Sequence, residues 1–194
     1  MPTQETPVVA ISHPCNKKPV LDHLTSTIAS QHLATLDVLD LGIGKGEFGK
    51  FIKDNVGIPI RLTGVEAFAK CRSECWSCYD ALHIEDIRAF IKRETGTFDV
   101  VLLMDVLEHL ERPEGPALLN YAIGHARHSV FLSTPISRYP QGALRGNPYQ
   151  QHISLWTDAE LRDLGFRELL RKRVFTYSLR KMFAWIGVYV FDKS

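Results

Sequence analysis

The sequence predicts an α/β fold: a doubly wound, mostly parallel sheet with helices on both faces. Three observations carry that prediction. Short apolar runs alternate with amphipathic stretches along most of the chain, the pattern of strands joined by crossover helices. The run FDVVLLM at 98–104 is apolar almost throughout, as a strand buried on both faces must be. The segment VLDLGIGKGEFG at 38–49 passes from an apolar strand through Gly42, Gly44 and Gly46 into a helix.

The 194 residues suffice for one α/β domain with a real core, read as a single domain over 1–194. Apolar content of 45% and charged content of 23% are ordinary for a globular chain, and a net charge of +1 creates no global field toward nucleic acid or membrane. A local basic patch stays open. Apolar runs such as VVLLM at 100–104 fall far short of the ~20 residues a membrane span takes. The opening MPTQETPVV lacks the basic-then-apolar layout of a secretory signal. Four cysteines, three of them crowded at 71–78, do not resemble a secreted disulfide framework, so a reducing, cytoplasmic location is expected.

In chain order, residues 1–18 read as an irregular arm able to pack over a site. Pro19 opens a helix, and Val20, Leu21, Leu24, Ile28 and Leu33 keep its apolar stripe to about Ala34. A strand at 35–41 leads through the glycine turn to a helix at 47–55, with Gly57 as its cap and Pro59 as its stop. A second strand at 60–65 ends at Glu66, and a helical segment is expected over 67–78. A weak strand at 79–84 precedes Asp86, and Ile87, Phe90 and Ile91 mark a short helix. The strand at 98–104 ends at Asp105. After a loop with Pro113 and Pro116, a helix over 117–127 and a strand over 129–133 are expected. Residues 134–153 form a long loop, a length usually reserved for function. Thr157 and Glu160 form a capping box for a short helix, and two final strands, at 174–177 and 186–192, read as antiparallel.

The chemistry concentrates at strand ends, where open α/β sheets bind their ligands. A chain reversing tightly onto a ligand needs positive φ and no Cβ, which glycine supplies, and the helix start behind it offers free N–H groups. Asp40, Glu66, Asp86 and Asp105 then stand at or just past four successive strands. Two cofactors compete. Gly44, Gly46 and Gly49 with Glu66 some twenty residues on satisfy the dinucleotide fingerprint. Four acids suit a cationic sulfonium ligand better than a pyrophosphate. S-adenosylmethionine (SAM) is therefore the expected cofactor, with a nicotinamide-dependent oxidoreductase as the alternative.

The segments VLDLGIGKGEFG, LTGVEAF, EDIRAF and FDVVLLMDVLEHL together resemble the class I SAM-dependent methyltransferases, from about residue 36 to the final IGVYVFD. That resemblance implies seven strands in the order 3-2-1-4-5-7-6, with strand 7 antiparallel. It implies that Gly42 and Gly44 lie against the methionine part of SAM and Asp40 orients it, with Gly46 also among the cofactor-binding residues. Glu66 would bind the ribose hydroxyls and Asp86 the adenine amino group, with Ile87 backing the ring. Met104 and Asp105 would lie near the reacting methyl. The implied reaction transfers that methyl to an oxygen or nitrogen of an acceptor, leaving S-adenosylhomocysteine (SAH).

An acceptor that loses a proton needs a base. His109 and His152 are the candidates, with Glu108 beside them. The segment at 147–166 is similar to the substrate-side loop of small methyltransferases acting on glycans or metabolites, and Arg138, Tyr139, Arg145, Tyr149, Gln150 and His152 are donors for a hydroxyl-rich or anionic acceptor. Asp105, Glu108 and His109, with His152 as a fourth ligand, are also similar to the Mg²⁺ ligands of certain O-methyltransferases. The same string occurs in metal-free methyltransferases, so no metal is assigned. Cys71, Cys75 and Cys78 have radical-SAM spacing, but they follow a complete SAM turn in a short chain and read as buried thiols on one helical face. Arg167, Arg171, Lys172, Arg173, Arg180 and Lys181 read as protection of a sheet edge rather than a nucleic-acid surface. A SAM-binding subunit without catalysis of its own is the alternative from a different class.

Overall fold

The computed structural model describes residues 14–144, 146–175 and 183–193. Most of the N-terminal arm, Arg145, the end of the strand expected at 174–177, Arg180 and Lys181 lie outside the described residues. Seven strands form one sheet in the order β3-β2-β1-β4-β5-β7-β6. They are β1 (Leu36–Leu41), β2 (Ile60–Val65), β3 (Ala81–His83), β4 (Phe98–Met104), β5 (Ala126–Pro135), β6 (Arg167–Phe175) and β7 (Phe183–Asp192). The first five pair in parallel, and β7 runs antiparallel between β5 and β6. Both the topology and the reversed strand are those the resemblance implies.

Helices cover the two faces. On one, α1 (Lys17–Ser30) and α2 (Glu47–Asn55) bury Val20, Leu24, Phe48 and Ile52 against Val38, Leu62, Val100 and Phe131. On the other, α3 (Ile87–Arg93), α4 (Gly115–His125) and α5 (Asp158–Asp163) bury Phe90, Leu118, Leu119 and Leu161 against Leu39, Val101, Leu103 and Tyr189. The doubly apolar β4 is buried at all but one position because it lies between these layers. No helix among the described residues is long and apolar enough to cross a membrane.

Several boundaries move. α1 starts at Lys17, placing Pro19 in its first turn, where a missing N–H costs nothing. The expected helix over 67–78 is instead two 3-10 turns, Ala69–Cys71 and Glu74–Cys78, so the cysteines share no α-helical face. Tertiary bonds hold this segment: Ser73 Oγ donates to the Lys45 carbonyl and Trp76 Nε1 to the Gly44 carbonyl. β6 begins at Arg167, seven residues earlier than expected. It pairs only with β7 and is an edge strand, so its sequence RELLRKRVF lacks the long apolar run that marks the central strands. The capping box at Thr157 and Glu160 is formed as expected.

Candidate active site

The site is built where β1 ends. Gly42, Gly44 and Gly46 take φ values of +79°, +52° and +76°, a backbone open to glycine and strained for any other residue. Gly46 sits at the N-cap of α2, so the first amides of that helix open onto the turn. Glu66, just past β2, closes the turn from the side. Its carboxylate accepts from the Gly44 N–H at 2.8 Å and from the Phe68 N–H at 2.8 Å. Burial pushes its carboxyl above the usual range against the pull of those amides.

Asp40 is 2% exposed and accepts from the Tyr79 hydroxyl at 2.7 Å. Burial raises its carboxyl to about 7; the Tyr79 bond opposes this, and the Glu66 charge adds to it. Tyr79 was invisible to sequence reasoning as a site residue. Its ring fills a slot made by three glycines from three elements. A Cβ on Gly49 would come within 2.2 Å of the hydroxyl, one on Gly64 within 2.7 Å of the ring, and one on Gly46 within 3.0 Å. Gly46 and Gly49 were legible in the glycine pattern; that they and Gly64 make room for a tyrosine was not.

Ile87 and Val106 flank the turn, at 3.6 Å and 2.8 Å from where a Cβ on Gly42 would lie. Asp86 caps α3 through the Arg88 N–H, and its two oxygens also take the Arg88 guanidinium at 2.6 Å and 2.8 Å. That bond holds its carboxyl below the usual range. Met104 closes β4 and is 4% exposed. Asp105 follows with φ +58°, a left-handed conformation uncommon for a residue with a side chain and typical of functional positions. Its N–H donates to the Ser133 carbonyl at 2.9 Å and its carboxylate accepts from Ser133 Oγ at 2.7 Å. Asn16, fully buried at the end of the arm, donates to Ser133 Oγ at 3.0 Å and approaches Asp105 Oδ2 at 3.4 Å. The sequence carried no signal for Asn16.

Beyond Asp105 the chain makes a 3-10 turn, Leu107–His109. His109 Nδ1 lies 3.0 Å from the Gln151 carbonyl, and His152 Nδ1 lies 2.7 Å from the Tyr139 carbonyl. A carbonyl only accepts, so both Nδ1 atoms carry the proton and both Nε2 lone pairs are free. The two rings stand 5.1 Å apart. Burial lowers the proton affinity of both; His152 falls to about 4, with His109 adding to the effect. Both are neutral at pH 7. Glu108 is 2% exposed and accepts from Thr134 Oγ1 at 3.0 Å, and burial with Asp105 nearby raises its carboxyl well above the usual range. Its carbonyl accepts from the Ile153 and Ser154 N–H groups, tying the end of the long loop to this turn.

One atom each from Glu108, His109 and His152 lies within 4.8 Å of the other two, so these three residues could hold a cation. His152, the expected fourth ligand, is in the group, whereas Asp105, expected with Glu108 and His109, is bonded to Ser133 and lies outside it. Among the described residues the thiols of Cys71, Cys75 and Cys78 form no such group. Cys71 is buried, its thiol raised to about 11 by burial, and its Sγ receives Asn147 Nδ2 at 3.7 Å. That contact fastens the middle of the long loop beside the glycine turn, so the loop spans from cofactor side to histidine pair.

A profile described as "Methyltransferase domain" matches residues 16–167. No curated protein matches the chain. Solved structures share the fold. Magnesium protoporphyrin IX methyltransferase from Synechocystis PCC 6803, with bound SAM, superposes with a TM-score of 0.55 at 18% identity, over 91% of this chain and 80% of that one. The 1,6-didemethyltoxoflavin-N1-methyltransferase of Burkholderia thailandensis, holding its acceptor and SAH, gives 0.56 at 16% over 93% and 80%. A SAM-dependent methyltransferase from Archaeoglobus fulgidus gives 0.57 at 17% over 89% and 94%. The match spans most of the chain, the strand order agrees, and the acids and glycines lie together at the strand ends. The chain therefore belongs to the methyltransferase-domain family and is built as a class I, SAM-dependent methyltransferase.

Proposed function

We propose that residues 1–194 form one methyltransferase domain that moves the methyl of SAM to an oxygen or nitrogen of a small-molecule or glycan-type acceptor. The observation that carries this reading is the constellation around the positive-φ glycine turn. Asp40, Glu66 and Asp105 project from the ends of three adjacent parallel strands, and two neutral histidines stand just beyond the third. In the reading, Asp40 meets the ammonium end of SAM, and Glu66 exchanges its backbone partners for the ribose hydroxyls. Ile87 backs the adenine and Asp86 accepts from its amino group. Met104 and Asp105 border the methyl.

The transfer is an in-line displacement. A lone pair on the acceptor forms the new bond to the methyl carbon while the carbon–sulfur bond breaks, its electrons neutralising the sulfonium to give SAH. Positioning supplies a large part of the acceleration. His109 or His152 takes the acceptor proton on its free Nε2. Calorimetric titration with SAM and SAH tests the cofactor assignment, and no binding of either sinks it. Of His109→Ala and His152→Ala, the one that removes the base should lower turnover by about 10²–10⁴-fold with SAM affinity unchanged, the range for losing a general base. SAM binding with no methylated product from any acceptor would point instead to a non-catalytic, SAM-binding subunit.

A second reading is favoured by the closeness of Glu108, His109 and His152. One carboxylate and two imidazoles, each imidazole oriented by a carbonyl on its other nitrogen, suit a divalent transition ion. Such an ion would polarise an acceptor hydroxyl and lower its pKa. Metal analysis of the purified protein before and after chelation, with turnover measured alongside, separates the readings. Stoichiometric metal whose removal abolishes turnover favours the ion; full turnover without metal excludes it.

A further inference from the structure

The segment after β2 holds a thiol pair that methyl transfer does not use. Cys75 and Cys78 both belong to the 3-10 turn Glu74–Cys78. A 3-10 helix has three residues per turn and rises about 2.0 Å per residue, so side chains three apart stand one above the other. Cys75 and Cys78 therefore share one face with their Cα atoms about 6 Å apart, within the range a disulfide spans. Both thiols are free and half-buried, whereas Cys71 is buried and receives Asn147 Nδ2. Cations flank the pair. Lys53 Nζ donates to the Cys78 carbonyl at 2.6 Å, and Lys50 stands one turn before it on α2. Burial raises the Cys78 thiol, and the charges of Lys53 and Lys50 oppose that rise.

The same turn is bonded to the glycine turn and to Asp40. Ser73 Oγ accepts from the Cys75 N–H and donates to the Lys45 carbonyl at 2.6 Å. Trp76, between the two cysteines, donates through Nε1 to the Gly44 carbonyl at 2.8 Å. Tyr79, directly after Cys78, donates to Asp40 at 2.7 Å. The packing is also close. A Cβ on Gly46 would lie 3.0 Å from the Tyr79 ring, 3.1 Å from the Trp76 ring and 3.5 Å from the Cys75 carbonyl carbon. A disulfide needs Cβ atoms about 3.5–4.5 Å apart, less than the ~6 Å of one 3-10 turn. Closing the bond must therefore tighten this turn by about 2 Å. Trp76 lies inside the ring so formed and Tyr79 follows it, so the movement falls on the bonds to Gly44 and Asp40.

A metal cluster fits these thiols poorly. Cys71 sits in a separate 3-10 turn, and Cys71, Cys75 and Cys78 form no metal-holding group among the described residues. We propose that Cys75 and Cys78 form a reversible dithiol–disulfide site whose oxidation loosens the glycine turn and weakens cofactor binding. The effect on the cofactor rests on the SAM reading; the thiol chemistry does not. The oxidant is a low-molecular-weight disulfide such as oxidised glutathione. One cysteine thiolate attacks a glutathione sulfur, forming a mixed disulfide and expelling one glutathione thiolate. The second cysteine thiolate attacks the protein sulfur of that mixed disulfide and displaces the other glutathione. The two cysteines lose two protons and two electrons, and one glutathione disulfide becomes two glutathione thiols. A bond that tightens its own turn in a half-exposed position is of the labile kind that free thiols reopen.

Incubation of the full chain with oxidised glutathione, followed by tryptic mass mapping, tests this. Trypsin cuts after Arg72 and Arg88, so Cys75 and Cys78 fall in one peptide and Cys71 outside it. That peptide should lose two hydrogens on oxidation and regain them with dithiothreitol. SAH affinity, measured by calorimetry, should fall about tenfold on oxidation, the scale of one lost hydrogen bond, and recover on reduction. Hydrogen exchange in residues 42–49, which needs no cofactor, should quicken by a similar factor. Cys75→Ser combined with Cys78→Ser should keep the reduced-state affinity and abolish both responses. A peptide that stays reduced, or a bond formed to Cys15 or Cys71 instead, would overturn the proposal. So would a disulfide that leaves unchanged either the exchange of 42–49 or the affinity of a protein that binds SAH. Reduced protein that binds no SAH, yet forms the disulfide with quickened exchange, would uphold the thiol site and remove the SAM reading.

Discussion

At the scale of single residues, Asp40 is the clearest case of environment setting chemistry. It is a strand residue sealed under Tyr79, and burial raises its carboxyl to about 7. An ammonium ligand favours the carboxylate, so binding must expel the proton whenever Asp40 holds one. SAM affinity should therefore rise with pH and level off above about 7, falling about tenfold per unit below it, since one unit corresponds to 1.36 kcal/mol. Calorimetry across pH in buffers of different ionisation enthalpy reads both the slope and the proton released. Asp40→Asn should flatten the profile and cost ~1–3 kcal/mol of binding, the scale of a lost charged hydrogen bond. Asp86 shows the opposite situation. It is tied to Arg88 and to the start of α3, so adenine would have to compete with that guanidinium or use its remaining lone pairs. The sequence placed both acids correctly at strand ends but could not distinguish their states, because burial and pairing are tertiary properties.

At the scale of elements, α2 carries a glycine at its third position, which by helix propensity alone is a defect of up to about 1 kcal/mol relative to alanine. Gly49→Ala should therefore stabilise an isolated helix. In the folded protein the new Cβ would lie 2.2 Å from the Tyr79 hydroxyl and 2.9 Å from Leu62. We expect Gly49→Ala to destabilise by ~1–3 kcal/mol, the usual cost of overpacking, as measured by chemical denaturation. A stabilised variant would mean that Tyr79 does not occupy this slot. The element that sequence reading missed, the segment after β2, failed for a related reason. Its cysteines repeat at helical spacing, yet Ser73 and Trp76 bond to the carbonyls of the glycine turn and hold it in 3-10 turns. Those partners lie about thirty residues away and no local pattern reports them.

At the scale of the molecule, the site is assembled from parts that touch neither in sequence nor in one layer. Asn16 from the arm, Asp105 from β4 and Ser133 from β5 form one network. The long loop is fastened at Cys71 on one side and at Glu108 and His109 on the other. A ligand bound among these parts should stabilise the whole fold. At a hundredfold excess over its dissociation constant, SAH should add about 2.7 kcal/mol. For a chain of this size that is a rise in Tm of about 5–11 °C, readable by thermal shift. NADH at the same concentration should leave Tm unchanged; the reverse order would favour the dinucleotide reading of the glycine pattern.

The sequence by itself determined the central parallel strands, the position of the glycine turn and the row of strand-end acids. Those features follow from local rules: apolar runs bury, glycine permits positive φ, and ligands collect where parallel strands end. The tertiary structure decided which acids are buried and which are paired, that Tyr79 fills the glycine slot, and that His109 meets His152. It also decided that the segment after β2 folds into 3-10 turns. Each of these depends on residues far apart in the chain meeting at one place, and a buried charge or a filled slot exists only once the neighbours are in position.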